Sequence, residues 1–575
     1  MDPSLQEVQG IRIAVEGCGH GTLHAIYASV EKACEVRGWD GVDLLIIGGD
    51  FQAVRNASDL TVMSCPVKFR AIGDFHSYYS GTTKAPFLTL FVGGNHEASS
   101  YLWELYYGGW VAPNIYYMGA ANVVRLGGIR IAGLTGIWKG YNYKKPHHER
   151  LPYSQDDIKS IYHVREIDVR KLLQLRTQVD IGISHDWPRA IEKHGNERQL
   201  FRMKPDFEQE SKDGTLGNPA AANLMDRLRP PYWFAAHLHC KFAAIKSYGE
   251  RREQPDESHK FVTQTSVAKS SPASEEKSIS QTIAHNDDEI DLDMDDDDGP
   301  SHEVSGLESR QSSNINGNNT DKTNDGNPAL ISISSEIRAQ LPAAFTQGTA
   351  PILPRSTQQN YPAPPGVKNK TVQFLALDKC LPGRKFLQLL EVRPHGTVLE
   401  SSVAEVAAEN TPLSRPKPKF EYDPEWLAIT RVLAPNLVLG DKSASQDYDL
   451  GEAHYLPLIQ KEEEWIRENI IDKGKLGIPK NFKITAPIFQ IGMPEIVNEA
   501  PKEYTNPQTQ QFCDLIGIEN KFYATEEEKE ARIRNGPPPP QERRDGGFGG
   551  RGRAGRGRGR GRGGGRGRGN GRGRW

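Results

Sequence analysis

Five short fragments carry most of the chemically useful side chains of this sequence: GCGHG with Cys18 and His20, GGDF with Asp50, GGNHE with Asn95 and His96, SHDW with His185, and AHLH with His237 and His239. Imidazole and carboxylate bind manganese, iron and zinc, and an asparagine oxygen is a hard donor that suits the same ions. The neighbouring glycines let the backbone turn sharply and let a phosphate approach. A single histidine at the end of an apolar run is most often structural. Ligand types repeated at five such ends make a set, and its composition points to metal-assisted chemistry.

The elements that must bring these ends together are short. IRIAVEG, VDLLIIGGD, PFLTLFVGGN, RIAGLTGI, VDIGISHD and YWFAAHLH each hold a β-branched-rich apolar run that stops at Gly, Asp, Asn or His. Between the first two lies TLHAIYASVEKACEVRG, which has helical spacing. Buried strands separated by helices predict an α/β layered domain with polar residues at strand C-termini, where open sheets place their sites. From 248 to 368 the pattern gives way to polar and acidic sequence, including DDEIDLDMDDDDG, which reads as a disordered insertion with a short helix around SEIRAQLP. KFAAI before it and VQFLAL after it then belong to one sheet, so that 369–395 completes the domain begun over 1–247. After a linker at 396–418, FEYDPEWLAITRVLAP and LPLIQKEEEWIREN place Trp, Leu and Ile at helical spacing, the signature of a small helical module over 419–525 whose apolar stripe is core. Over 526–575 the chain ends in a Pro-rich and Arg-Gly-rich tail from which no fold can be built.

Among 575 residues there are 56 Gly and 38 Pro, and their bias toward the second half lowers the number of folded domains below what length alone gives. A net charge of -3 hides an acidic run near 290 and an arginine-rich tail that nearly cancel. The six cysteines, at 18, 34, 65, 240, 380 and 513, include no CxxC pair, which argues against a disulfide framework and for a reducing compartment. The N-terminus MDPSLQEVQG lacks a signal-peptide core, and no run of about eighteen apolar residues occurs. A soluble intracellular protein without membrane attachment is expected.

Taken in order, the fragments resemble the pattern of the calcineurin-like metallophosphoesterases: D-x-H, G-D, G-N-H-E or D, H, then G-H-x-H. GGNHE and AHLH fit it, and Cys18 stands where the pattern has aspartate. The resemblance implies a β-sandwich flanked by helices that holds two divalent metal ions (Fe2+, Zn2+ or Mn2+) bridged by the second aspartate. By position, His20, Asp50 and His239 would hold one ion, with Cys18 beside them, and Asp50, Asn95, His185 and His237 the other. Cysteine in place of aspartate supplies a softer sulfur, which would weaken the first position or bias it toward zinc or iron. GCGHG, GGDFQAVRN, GGNHE, SHDWP, HLHCKF and SIYHVREIDVRKLLQL together are similar to the RNA lariat debranching enzymes. That resemblance runs through 11–247, resumes at FLALDKCLP near 374 and includes a family C-terminal domain from 419. It implies hydrolysis of the 2′–5′ phosphodiester at an intron branch point, giving linear RNA, by a two-metal mechanism with a bridging water or hydroxide as nucleophile. His96 would then be the general acid for the leaving 2′ oxygen, with Glu97 or Asp186 orienting nearby histidines.

Recognition of RNA asks for cations and flat rings. The segment 138–166 offers Lys139, Tyr141, Tyr143, Lys144, Lys145 and His147 between two expected strands, and it resembles the lariat recognition loop of the family. Arg55, Tyr78 and Tyr79 are further expected contacts. The Arg-Gly tail reads as a flexible polycation that binds RNA with little sequence preference. Besides branched intron RNA, spliceosome or intron-turnover proteins are expected partners of the disordered segments. Residence in the nucleus, with shuttling to the cytoplasm, is expected from the substrate and the tail. Two alternatives stand beside this reading: the same core acting on another phosphodiester or a phosphoprotein, and an RNA-binding adaptor whose metal site is only structural.

Overall fold

The apolar runs become strands because neighbouring layers cover both of their faces: LLII, TLF and IGIS are buried at every position. In the computed structural model, which describes residues 10–249, 361–394 and 417–537, these strands build two sheets. The first contains β1 (Ile11–Glu16), β2 (Leu44–Ile47), β3 (Thr89–Phe91), β4 (Gly109–Ala112), β5 (Ile115–Tyr117) and β12 (Leu387–Val392), in the order β12-β1-β2-β3-β5-β4. The second contains β6 (Ala121–Leu126), β7 (Ile129–Leu134), β8 (Ile181–Ser184), β9 (Tyr232–Ala235), β10 (Phe242–Ser247), β11 (Thr371–Ala376) and β13 (Phe420–Tyr422), in the order β10-β11-β9-β8-β7-β6-β13. β1, β2, β3 and β5 run parallel, as do β7, β8, β9 and β11, so each sheet delivers several strand ends to one side. The helix Leu23–Arg37 covers the first sheet, packing Ile26, Tyr27, Val30 and Cys34 against Ala14, Leu45, Phe51 and Phe91. Gly38, at φ 72°, ends it in the left-handed conformation that glycine adopts without cost.

The strands on either side of the long insertion meet. β10 and β11 are antiparallel neighbours, paired from Phe242 with Ala376 to Ser247 with Thr371, and β12 closes the edge of the first sheet against β1. The packed chain resumes earlier than the expected boundary at 369. Tyr361 donates to Asp449 at 2.7 Å and accepts from Gln174 at 3.2 Å, and Val367 is buried. The short helix expected around SEIRAQLP, the linker from 396 to 416 and the tail from 538 lie outside the described residues.

The 419–525 segment is mainly helical as expected, with helices at Pro424–Leu433, Glu452–Ile466 and Pro507–Ile516. It is also joined to the sandwich: β13 extends the second sheet beside β6, and Asp423 both caps the helix Pro424–Leu433 and accepts from Arg125 and Arg130. Tyr107 stacks on Phe512, Tyr106 on Phe522, and Trp110 donates through Nε1 to the Pro479 carbonyl. The interior is therefore shared between the two halves of the sequence. The tail also starts later than expected, because Glu526–Asn535 is a helix. Thr525 and Glu528 form a capping box, glutamates fill the first turn and arginines the last, which complements the helix dipole. Buried Lys529 and half-buried Arg532 tie this helix to Thr505 and Glu503. No described helix is long and apolar enough to cross a membrane.

Candidate metal centre

Each expected ligand lies in the turn after a parallel strand: Cys18 and His20 after β1, Asp50 after β2, Asn95 after β3, His185 after β8, His237 and His239 after β9. Two bonds join the sheets at this point. His237 N–H donates to Cys18 Sγ at 3.2 Å, and His185 Nδ1 lies 2.9 Å from the Gly48 carbonyl. The turns are tight enough to force His20, Asp50, His237 and His239 to positive φ, between 42° and 63°, a region that non-glycine residues occupy at a cost and mostly at functional sites. Glycine is required beside them. A Cβ on Gly49 would fall 2.1 Å from His185 Nδ1, and one on Gly94 would fall 2.1 Å from Asp50 Oδ1.

Asp50 is the centre of the arrangement. Its Oδ2 lies 3.7 Å from His20 Nε2, and its Oδ1 lies 3.4 Å from His185 Nε2. On the first side, ligand atoms of Cys18, His20, Asp50 and His239 all fall within 4.8 Å of one another, with His20 Nε2 and His239 Nε2 3.2 Å apart. On the second side, Asn95 Oδ1, His185 Nε2 and His237 Nδ1 are buried without a hydrogen-bond partner among the described residues. Orphaned buried polar atoms are costly unless something binds them. A carbonyl only accepts, so His185 carries its proton on Nδ1 and offers a bare Nε2 lone pair. Burial lowers His20 to about 4 and His237 to about 3, and it holds His239 well below the usual histidine range, so all three imidazoles are neutral donors at neutral pH. Burial pushes Asp50 upward, but His185, His96 and His20, with the His96 amide, outweigh it and keep the carboxylate ionised. Burial, Asp50 and Glu16 raise the Cys18 thiol. The donor set of neutral imidazoles, one carboxylate, one carboxamide oxygen and one sulfur fits divalent metal ions.

The family comparisons agree with this chemistry. Residues 11–241 match the calcineurin-like phosphoesterases, and residues 369–521 match the C-terminal domain of lariat debranching enzymes. The chain is 38% identical to the lariat debranching enzyme of Schizosaccharomyces pombe over 512 residues, covering 89% of this chain and 96% of that one. The chain belongs to the lariat debranching enzymes. It is also 36% identical to lariat debranching enzyme A of Xenopus laevis, over 90% of this chain and 73% of that one, and to the lariat debranching enzyme of Homo sapiens, over 88% and 69%. Membership of this family makes the protein a metallophosphoesterase, a hydrolase that works with divalent metal ions.

In this debranching-family chain the 138–166 segment is a folded structure pinned from below. Arg165 binds Glu149, the Asn142 carbonyl and the Ser160 carbonyl, and Asn142 pairs with His163 at 2.8 Å. Tyr141 and Lys144 are exposed, while Lys139, Tyr143 and Lys145 are half-buried. His147, expected to contact RNA, is instead buried 2.7 Å from Asp168, which also accepts from Tyr106. Arg55, in the loop after Asp50, and Tyr78 and Tyr79, on the helix Phe75–Tyr79, were also expected at the substrate and are instead buried. Arg55 is fully buried between Asp59 and Glu104 over the Tyr101 ring. Tyr79 accepts from the amides of Thr485 and Ala486, and Tyr78 is bonded to His24. Glu97 and Asp186, expected to orient nearby histidines, bind backbone amides and no histidine ring among the described residues. Glu97 accepts from the amides of Phe51, Gln52 and Gly94, fixing the Asp50 turn, and burial with the Asp50 charge raises it to about 8. Asp186 accepts from Trp138 N–H, which ties the 138–166 segment to the His185 turn, and burial raises it to about 6. His96 is buried, its amide donates to Asp50 Oδ1 at 2.9 Å, and its Nδ1 has no partner among the described residues. Sequence reasoning missed Gln52, whose amide lies 3.3 Å from His20 Nδ1, and Lys379, buried in register with Cys18. Their signals were position only: Gln52 lies two residues past Asp50, and Lys379 lies just past β11.

Proposed function

We propose that the chain hydrolyses the 2′–5′ phosphodiester at the branch point of excised intron lariats, releasing linear RNA, and that it does so in the nucleus. The observation that supports the reading is Asp50, whose two carboxylate oxygens face two groups of ligand-type side chains, Cys18, His20 and His239 on one side and the unpartnered Asn95, His185 and His237 on the other. Cys18, His20 and His239 would hold one divalent ion with it, and Asn95, His185 and His237 the second; iron, zinc and manganese all suit these donors. Such a pair, when bound, lowers the pKa of water and neutralises charge on the phosphoryl oxygens.

The protein's own groups do the rest. Asp50 keeps its negative charge and is fixed by the His96 amide, so the centre is preorganised before substrate arrives. His96 stands beside it and would pass a ring proton to the departing 2′ oxygen. Lys139, Tyr141, Tyr143, Lys144 and Lys145, on the segment bound to the His185 turn through Asp186, would take the backbone and unpaired bases around the branch. The Arg-Gly tail would add affinity that weakens with salt. The purified protein, given Fe2+, Zn2+ or Mn2+, is expected to cut a branched RNA at its 2′–5′ linkage and to spare a linear 3′–5′ control. Failure to cut the branch with any of these ions would reject the reading.

A further inference from the structure

One histidine in each half of the centre is braced, and the two by different means: His185 by backbone and His20 by a side chain. At the second position, the acceptor that sets the tautomer of His185 is the Gly48 backbone carbonyl, which no side-chain substitution removes. At the first position, the only hydrogen-bond contact of His20 Nδ1 among those the described residues form is with a side chain, the Gln52 amide at 3.3 Å. Gln52 is held for this contact: its φ is 63°, and its own N–H donates to Glu97 Oε2 at 2.9 Å.

We infer that Gln52 is a positioning residue that sets the tautomer of His20 and so tunes the first cation position. A neutral imidazole has one donor and one acceptor nitrogen. His20 Nε2 faces His239 Nε2 at 3.2 Å and Asp50 Oδ2 at 3.7 Å, so it is the nitrogen that offers its lone pair to a cation. Its Nδ1 must then carry the proton and needs an acceptor. Of the two ends of the Gln52 amide only the oxygen accepts, and a half-turn of the amide, which leaves its shape unchanged, exchanges Nε2 for Oε1 at this place. A ligand histidine braced in this way is fixed in orientation and made more basic. In the first position, which also holds the soft donor Cys18, His20 thus depends on a replaceable side chain, where His185 in the second depends on backbone.

This rests on the reading of His20 as a cation ligand, and zinc binding to the full-length protein tests the two separately. Zinc titrated against a chromophoric chelator is expected to show two sites per wild-type chain. Gln52→Asn keeps a residue that tolerates positive φ but is one methylene too short to reach Nδ1; it is expected to weaken one site by roughly 10–100-fold and leave the other unchanged. Gln52→Glu, with the same reach and only acceptor oxygens, is expected to retain both sites. Wild-type affinities in Gln52→Asn, or an equal loss in Gln52→Glu, would overturn the inference. Fewer than two sites in the wild type would overturn the underlying reading instead.

Discussion

At the scale of single residues, the proposed centre divides into groups that would hold charge and one that would move a proton. His96 contributes its backbone amide to Asp50 and leaves its ring outside the two ligand sets. His96→Ala is therefore expected to retain the wild-type metal content by elemental analysis while turnover falls about 10²–10⁴-fold, the range for losing a general acid. Loss of metal together with activity would make His96 a ligand. Cys18 lies in the first set, where an aspartate would give a hard oxygen. Cys18→Ala should lower affinity at one position only, and Cys18→Asp should shift preference toward manganese, both read by competitive metal titration. Unchanged affinity and preference in both would reduce Cys18 to a packing residue. The ligands were readable in the sequence because each follows directly on an apolar run, so a strand end and a donor coincide. Gln52 was not, because its use depends on a backbone turn that brings it back over His20. Arg55 and Tyr79 misled for a related reason: a charge or a hydroxyl suggests a surface, and nothing local shows that Glu104 and Thr485 meet them inside.

At the scale of elements, the 138–166 segment is held by the helix Glu166–Leu173 beneath it. Asp168 on that helix receives His147 at 2.7 Å and also meets Tyr106 and Lys171. Burial pushes Asp168 upward, but His147, Lys171 and Tyr106 outweigh it and hold it below the ordinary carboxylate range. A depressed carboxylate stabilises the fold above its unfolded pKa of about 3.9, and that contribution disappears as pH falls through the lower folded value. Asp168→Asn should thus be less stable than wild type at neutral pH in denaturant titrations, with the difference shrinking below about pH 4. The same variant should raise KM for branched RNA with metal content unchanged, since it loosens the segment and not the centre. A constant stability difference at all pH values would contradict this account of the ion pair. The strands and the helix Leu23–Arg37 were legible from periodicity, whereas the helix Glu526–Asn535 was not, because it is polar on nearly every side. Its local signs were the Thr525 and Glu528 capping box and the glutamates and arginines at its two ends.

At the scale of the whole molecule, the C-terminal part completes the catalytic half. Arg55, five residues past Asp50, is fully buried and bonded to Asp59, Glu104 and Thr485, and Asn506 donates to the same Glu104. Arg55→Ala would leave two carboxylates buried without their cation and should cost about 3–5 kcal/mol of stability, as for other broken buried pairs. A loss below about 1 kcal/mol in denaturant titrations would mean that this network does not join the halves. The pairing of β10 with β11 across the insertion was legible because both runs kept strand character on each side of a polar gap. The shared interior was not, since Trp110, Phe512 and Phe522 read equally well as the core of two domains. All of these elements converge on the proposal that Asp50 would hold two cations, one with each group of ligands, at the seam between the sheets. Anomalous diffraction from crystals grown with zinc measures this directly. Two peaks per chain are expected, one beside Cys18, His20 and His239 and one beside Asn95, His185 and His237, with Asp50 between them. A single peak, or two of which only one adjoins Asp50, would contradict it.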